Sequence, residues 1–129
     1  MNADTLITEA RRARENAHAP YSTFFVGAAL LTEDGRVFHG CNVENASYGL
    51  TNCAERTAFF AAIAAGCRAG DFVSLAVIGD TDGPIPPCGA CRQVMMELGG
   101  PTLRVFLANL HGAQSETTPE KLLPGAFRL

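Results

Sequence analysis

The chain has 129 residues, of which 47% are hydrophobic and 18% are charged, and its net charge at pH 7 is −3. This composition excludes a disordered chain, and residues 1–129 are expected to form a single domain. The acidic balance argues against binding to nucleic acid through its phosphates, and no apolar run predicts a membrane span or a signal peptide. The five cysteines are an odd number, which favours free thiols in a reducing, cytoplasmic setting over a disulfide framework.

The residue pattern predicts helices and strands in alternation. Apolar residues at helical spacing predict helices, continuous apolar runs predict buried strands, and clusters of Gly, Pro and Asp predict turns. The predicted elements are helix 4–17, strand 24–31, strand 36–43, helix 54–65, strand 72–78, a helix that opens at Pro87 with its body at 94–98, strand 103–107, a short strand within 110–116 and a helical turn at 118–123. The helix at 54–65 is apolar on nearly every side, which predicts a position at the centre of the domain. A hairpin followed by strands that alternate with helices indicates an α/β layered fold.

Two short segments carry cysteines at predicted helix starts. They are Asn52-Cys53-Ala54-Glu55-Arg56, with Asn52 as the predicted N-cap, and Pro87-Cys88-Gly89-Ala90-Cys91-Arg92. Cys88 and Cys91 are three residues apart, so both thiols project from one face of the first turn, and Cys53 supplies a third thiol. Helix N-termini stabilise thiolates, which favours metal binding at neutral pH. We predict one Zn²⁺ per chain on these three sulfurs, with the fourth tetrahedral position open, as in catalytic zinc sites.

Glu55 is the candidate catalytic residue. Side chains lean towards the N-terminus of a helix, so a carboxylate in the first turn can reach a site beyond the helix end. A buried carboxylate beside a zinc site is suited to general acid and base catalysis. The alternative is a capping box, in which Glu55 stabilises a helix that Asn52 caps.

Other interpretations of the cysteines remain open from spacing alone. The pair Cys88-x-x-Cys91 by itself is also typical of a thioredoxin-like redox motif. A closed structural zinc site, as in an interaction module without catalysis, needs a fourth ligand. Cys41 and Cys67 are the available thiols, but free cysteines usually pack as small hydrophobic residues.

Polar residues near the two segments have candidate roles as well. Arg56 and Arg92 each lie in a predicted first turn, where a cation opposes the helix dipole. The charges of three thiolates and one Zn²⁺ sum to −1, and hydrogen bonds from arginine to the sulfurs would offset that negative charge. We therefore predict such bonds from Arg56, while for Arg92 a surface position is an equally good interpretation. Asn42 and Glu44 suit either a turn or the recognition of paired hydroxyls.

Six stretches together resemble the small cytidine deaminases over nearly the whole chain. They are Pro20-Tyr21-Ser22 with Phe24, residues 26–29 (VGAA), residues 40–46 (GCNVENA), residues 53–58 (CAERTA), residues 87–93 (PCGACRQ) and residues 122–127 (LLPGAF). The cysteine segments alone indicate the deaminase superfamily. The Asn-x-Glu-Asn segment and the C-terminal stretch point to the branch that acts on free nucleosides, and the cysteine at position 53 is similar to the small homotetrameric class.

The resemblance implies a fold, a reaction and a set of site residues. The fold would be a three-layer α/β/α sandwich with a five-stranded mixed sheet. The reaction would be hydrolytic deamination of cytidine and deoxycytidine, in pyrimidine salvage, with Zn²⁺ on Cys53, Cys88 and Cys91 and with Glu55 moving the protons. The implied nucleoside contacts are Phe24, Asn42, Glu44, Ala54 and Phe127, with Asn42 and Glu44 on the ribose hydroxyl and Phe127 reaching in from a neighbouring subunit of a homotetramer.

Three rival functions follow from the same motifs. A deaminase of a modified nucleoside antibiotic shares the zinc motifs, but the segment Asn42-Val43-Glu44-Asn45 argues against it. A zinc-stabilised interaction module predicts four protein ligands in place of three. A polynucleotide-editing deaminase is disfavoured by the acidic balance of the chain.

Overall fold

The computed structural model describes residues 1–129 and is built on a five-stranded sheet in the order β2-β1-β3-β4-β5. The strands are β1 (Val26–Thr32), β2 (Val37–Cys41), β3 (Phe72–Gly79), β4 (Arg104–Asn109) and β5 (Gln114–Thr117), and the helices are α1 (Ala3–Arg14), α2 (Ala54–Ala64), α3 (Gly89–Val94) and α4 (Pro119–Leu122). A 3₁₀ turn at Tyr48–Leu50 and a π turn at Met95–Gly99 complete the regular structure. No helix combines the length and the apolar composition required to cross a membrane.

The sheet is mixed, as the resemblance implied. β1 is antiparallel to both β2 and β3, β3 is parallel to β4, and β4 is antiparallel to β5. Parallel neighbours cannot be joined by a tight turn, and the connection from β3 to β4 accordingly carries α3. This crossover brings the second cysteine segment back over the sheet.

Helices cover both faces of the sheet, because the central strands are apolar on both sides. On β1, Ala29 and Leu31 pack with α1, while Ala28 and Leu30 pack with α2 on the opposite face. The same alternation runs through β3 and β4, so each face has its own core cluster. The predicted three-layer α/β/α sandwich is therefore confirmed.

Two glycines let the helices lie close to the sheet. A Cβ added at Gly40 of β2 would lie 2.2 Å from the Ala54 carbonyl oxygen, at the first residue of α2. A Cβ at Gly27 of β1 would lie 2.0 Å from the carbonyl oxygen of Ala10 in α1. Neither distance leaves room for a side chain. Glycine at position 40 therefore allows the N-terminal end of α2, next to Cys53, to approach the sheet closely.

Several element boundaries differ from the predicted ones. α1 ends at Arg14 and not at residue 17, because the N–H groups of residues 15–17 bond carbonyls three residues back, in turns rather than α-helix. β1 begins at Val26 and not at residue 24, because the Asn42 side chain holds the Phe24 carbonyl. The predicted body of the second cysteine helix, 94–98, is mostly a π turn.

The expectation that α2 lies buried at the centre of the domain holds for only one of its faces within one chain. Its inner face, including Ala58 and Phe59, is fully buried against the sheet. Its outer face is open, and Phe60 is 48% exposed. A helix that lies on one face of a sheet has a second face that the same layer cannot cover, which leaves an apolar surface on this chain.

Candidate metal centre and active site

The N-termini of α2 and α3 meet at one place. Cys53 is the N-cap of α2, and Cys88 is the N-cap of α3, where its sulfur accepts a hydrogen bond from the Cys91 N–H at 3.4 Å. The prediction that Asn52 caps α2 is wrong. The Asn52 amide instead donates to the Thr57 hydroxyl at 3.1 Å, while its backbone pairs with Val43. The cap position is thereby left to a cysteine, whose thiol points at the opposing helix.

Three sulfurs converge between these helix ends. The Sγ atoms of Cys53, Cys88 and Cys91 all lie within 4.8 Å of one another, and those of Cys53 and Cys88 are 3.7 Å apart. Zinc–sulfur bonds of about 2.3 Å at tetrahedral angles place two sulfurs about 3.8 Å apart, so the donor set fits zinc. No further His, Cys, Asp or Glu belongs to the group. The closed four-ligand site therefore has no support, and three ligands leave one position for a non-protein ligand.

Cys41 and Cys67 lie outside this group, as expected. Cys67 is buried in the core, and its sulfur accepts a hydrogen bond from Arg36 at 3.4 Å. Cys41 is partly buried at the end of β2, where burial raises its pKa. All five cysteines are free.

The cysteine cluster is prepared for a cation. Contacts with the thiol of Cys91 and with the guanidinium of Arg56 lower the pKa of Cys53 to about 5. The pKa of Cys91 is raised, because the neighbouring Cys53 thiolate favours keeping the proton and because the site is buried. One sulfur thus ionises readily and the second resists, because two neighbouring thiolates repel each other.

Arg56 and Arg92 have different partners. Arg56 donates from Nη2 to the Cys53 sulfur at 3.3 Å, as predicted, and its Nε is buried without a partner. Arg92 donates to no sulfur. Its Nε bonds the Pro87 carbonyl at 2.8 Å, and its Nη1 bonds the Leu122 carbonyl at 2.8 Å. Arg56 therefore acts on the charge of the site, whereas Arg92 fastens the backbone that precedes Cys88 to the C-terminal segment.

Glu55 is buried beside the sulfurs and lines the same cleft. Its side chain is 4% exposed, and burial, with the nearby Cys53 thiolate as a further cause, raises its pKa to about 7. It forms no hydrogen bond with the N–H of Asn52, and Asn52 is not the cap, so the capping-box alternative has no structural basis. A carboxyl group with a pKa near neutrality can both accept and return a proton.

The cleft has a volume of about 190 Å³ and brings together most of the predicted site residues. Its predicted lining residues are Phe24, Asn42, Cys53, Ala54, Glu55 and Cys88. The sequence interpretation missed Val26, Thr51, Asn52, Ile85 and Pro86. Adjacency to the cysteines was the available signal for Asn52 and Pro86, whereas Ile85 reaches the cleft only because the loop after β3 folds over Gly79. No lysine or arginine lines the cleft.

Asn42 and Glu44 adjoin the cleft but are already engaged with the chain. The Asn42 amide accepts from the Val26 N–H at 2.9 Å and donates to the Phe24 carbonyl at 2.7 Å. Glu44 lines an adjoining open recess of about 350 Å³, and Thr51 lines both cavities. Both residues therefore hold the segment that carries Phe24 at the cleft.

Phe127 lies outside the cleft of its own chain. Its side chain is 70% exposed, and its carbonyl accepts a hydrogen bond from Gln93 of α3 at 2.9 Å. Gln93 was not predicted as a contributing residue. Together with Arg92, it fixes the C-terminal segment against the helix that begins at Cys88.

Known proteins match this chain along nearly its full length. A family model described as the zinc-binding region of cytidine and deoxycytidylate deaminases matches residues 1–107. The cytidine deaminase of Sporosarcina psychrophila is 58% identical over 127 residues, which cover 98% of this chain and 92% of that protein. The cytidine deaminase of Halalkalibacterium halodurans is 59% identical over 127 residues, which cover 98% of this chain and 95% of that protein.

Solved structures agree with these sequence matches. The crystal structure of cytidine deaminase from Burkholderia pseudomallei superposes with a TM-score of 0.98 at 64% identity, covering 98% of this chain and 100% of that chain. The structure of cytidine deaminase from Mycobacterium tuberculosis has a TM-score of 0.85 at 40% identity, covering 100% of this chain and 99% of that chain. On the matched domain, the identities and the three-cysteine site, the chain belongs to the cytidine deaminase family of zinc-dependent enzymes.

Proposed function

We propose that Cys53, Cys88 and Cys91 hold the zinc ion of this deaminase and that Glu55 moves the protons as cytidine and deoxycytidine are hydrolysed to uridine and deoxyuridine. The observation that carries this assignment is the convergence of three sulfurs beside one buried carboxyl group at the end of a cleft. Zinc bound to such a set supplies a polarised water as the nucleophile.

Glu55 accounts for each proton in the reaction. The carboxylate accepts a proton from the attacking water and delivers it to N3 of the ring, so that no negative charge accumulates on the base as the oxygen bonds to C4. It then transfers the second proton of that water to the exocyclic nitrogen, the C4–N bond breaks, and ammonia leaves. Because its pKa is raised to about 7, neither direction of transfer is strongly uphill at neutral pH.

The charges around the cleft favour a nucleoside over a nucleotide. A 5′-phosphate or a phosphodiester brings negative charge, and the cleft lining has no lysine or arginine to meet it. Glu44 and Glu55 are acidic, and low local dielectric makes repulsion between like charges costly. Deoxycytidylate and cytosine within an oligonucleotide are therefore disfavoured substrates.

Asn42 and Glu44 form the ribose end of the site in this proposal. Glu44 accepts a hydrogen bond from a free 3′-hydroxyl, and charge-assisted bonds of this kind are roughly twice as strong as neutral ones. Phe24 and Ala54, which line the cleft with Asn42, pack against the nucleoside. A phosphodiester at the 3′ position has no proton to donate to Glu44.

The assembly in this proposal is a homotetramer whose active sites are completed across subunits. Phe127, Tyr48 and Leu50 are 70%, 77% and 70% exposed, and Phe60 adds an open apolar face on α2. Side chains of this size are seldom exposed together unless they form an interface. Packing Phe127 into a neighbour's cleft would bury it and supply a second aromatic beside Phe24. A reducing cytoplasm suits the five free cysteines.

One spectrophotometric experiment tests the assignment. Loss of cytidine absorbance is followed with and without a zinc chelator, and with deoxycytidine, deoxycytidylate and a cytosine-containing oligonucleotide as alternative substrates. We expect turnover of the two nucleosides only, abolished by the chelator and restored by Zn²⁺. Turnover that survives complete zinc removal, or an oligonucleotide rate near that of cytidine, would contradict the proposal.

A further inference from the structure

The segment Tyr21–Phe24, here called the clasp segment, is bound to Glu44 by three hydrogen bonds. Glu44 Oε1 accepts from the backbone N–H of Tyr21 at 2.9 Å and from that of Ser22 at 3.1 Å. Its Oε2 accepts from the Ser22 hydroxyl. The pKa of Glu44 is lowered, chiefly by this hydroxyl, so the group is an anion at neutral pH. The clasp segment therefore determines the orientation of the carboxylate.

Counting acceptor sites shows what remains for a substrate. An ionised carboxylate has about four acceptor positions, two on each oxygen. The clasp segment occupies both positions on Oε1 and one on Oε2. A single acceptor position is left, so Glu44 in this orientation can take one hydroxyl donor from the ribose.

Ser22 also connects Glu44 to Phe24 of the cleft. The Ser22 hydroxyl oxygen accepts the Phe24 N–H at 3.0 Å while its proton is donated to Glu44. The Phe24 carbonyl is held by Asn42 at 2.7 Å, so both sides of this residue are fixed. Ser22 is thus the only side chain that hydrogen-bonds both to the carboxylate and to the residue that packs at the cleft.

The backbone between these residues is strained. Thr23 has a φ of 55°, a left-handed conformation that β-branched residues rarely adopt. Such a conformation persists only where surrounding bonds impose it, and such residues cluster at binding sites. Here the Thr23 N–H bonds the Ala19 carbonyl at 3.0 Å, and the turn brings the Phe24 N–H onto the Ser22 oxygen.

We propose that Ser22 is a positioning residue that sets the ribose selectivity of the enzyme by fixing Glu44 with a single free acceptor. This inference rests on the proposed contact between Glu44 and the 3′-hydroxyl. One acceptor is satisfied by the hydroxyl that cytidine and 2′-deoxycytidine share, so the 2′-hydroxyl is not required. Without the Ser22 hydroxyl, the two backbone N–H groups hold only Oε1, so Oε2 can turn away and its acceptor no longer faces the ribose.

The test compares kcat and KM of zinc-loaded variants for cytidine, 2′-deoxycytidine and 3′-deoxycytidine. We expect Ser22→Ala to lower kcat/KM about tenfold for the first two substrates, chiefly through KM, because one charge-assisted bond is lost. The loss for 3′-deoxycytidine should be at most about twofold, since that substrate has no hydroxyl to place. Ser22→Thr keeps the hydroxyl and should therefore retain most of the preference for cytidine over 3′-deoxycytidine.

Ser47→Ala is the matched control, because Ser47 lies in the neighbouring exposed loop and its side chain makes no capping hydrogen bond. Equal losses on all three substrates in Ser22→Ala would indicate a general structural role and overturn the inference, as would no loss at all. Glu44→Gln separates the two proposals. If it leaves the ratio of cytidine to 3′-deoxycytidine unchanged, the ribose contact itself is wrong; if it lowers that ratio while Ser22→Ala does not, only the role of Ser22 is wrong.

Discussion

The two ends of the cleft are built in different ways. At the metal end, Cys53 and Cys88 cap helices that rest on the core, and Cys91 and Ala54 are fully buried. At the proposed ribose end, in the adjoining recess, Glu44 and Ser22 lie on partly or fully exposed loops and are held by hydrogen bonds of the Glu44 carboxylate. Helices packed on a buried core hold their residues within narrow limits, whereas loops can change without disturbing the core. In the proposed function, the core therefore places the chemistry, and loop contacts set the substrate range.

The strongest expected effect lies at the metal end, where removal of zinc should abolish activity. The thiolates would lose the charge that holds them together, and structural zinc sites stabilise small domains by on the order of 10 kcal/mol. We therefore also expect a large fall in Tm. Metal analysis of the active protein should give one zinc per chain. A fully active preparation with well under one zinc per chain would show that this end is not the centre of the chemistry.

Glu55→Gln should remove nearly all turnover and leave the fold in place. The amide has the size of the carboxyl group but cannot shuttle protons, and such a group contributes about 10²–10⁴-fold or more. Zinc content and circular dichroism provide the control, because both should match the unsubstituted protein. A variant that keeps a sizeable fraction of the rate would assign Glu55 a structural role in place of a catalytic one.

Substitution of Arg56 and of Arg92 separates two kinds of support at the metal end: a positive charge beside a sulfur, from Arg56, and hydrogen bonds to the backbone, from Arg92. Arg56→Gln should weaken zinc binding about 10–100-fold, because the Cys53 thiolate loses its cationic donor. Arg92→Gln should cost about 1–3 kcal/mol in unfolding free energy, because the Pro87 and Leu122 carbonyls lose a partner. Competition with a chromogenic chelator and thermal unfolding measure the two effects. Equal zinc loss in both variants would contradict the division of roles.

The smallest expected effect concerns Phe127, at the exposed periphery. Phe127→Ala should raise KM several-fold, because one aromatic contact of about 0.5–1.5 kcal/mol is lost, with little change in the assembly seen by sedimentation. If Phe127 acts in a neighbour's cleft, Phe127→Ala chains can be co-expressed with Glu55→Gln chains. Some clefts should then combine the intact Glu55 of a Phe127→Ala chain with the intact Phe127 of a neighbouring Glu55→Gln chain. The KM at those sites should be normal. A fully active monomer in sedimentation would rule out shared sites.

Much of the metal end was predictable from the sequence, because its residues fall in two short segments at predicted helix starts. Spacing of three places Cys88 and Cys91 on one turn whatever surrounds them, and the small residues of α2 indicate burial. The sequence could not distinguish Asn52 from Cys53 as the cap. Both residues are suitable neighbours of a helix, and the choice depends on the bridge between Asn52 and Val43, which lie on segments that only the fold brings together.

Local pattern thus indicated the individual helices and strands, the Cys88–Cys91 pair, the candidate acid–base residue beside Cys53 and the Arg56 contact, since each depends on residues within one or two helical turns. The meeting of Cys53 with Cys88, 35 positions later, was predicted from residue type and depends on the fold. Only the tertiary structure decided which carbonyls Arg92 holds, why Asn42 and Glu44 are fastened to the clasp segment, and how far α2 remains uncovered. Those features depend on residue pairs such as Ser22 with Glu44 and Arg92 with Leu122, separated by 22 and 30 positions. Composition and periodicity carry no information about such pairs, because chain folding, and not local preference, sets the distance between them.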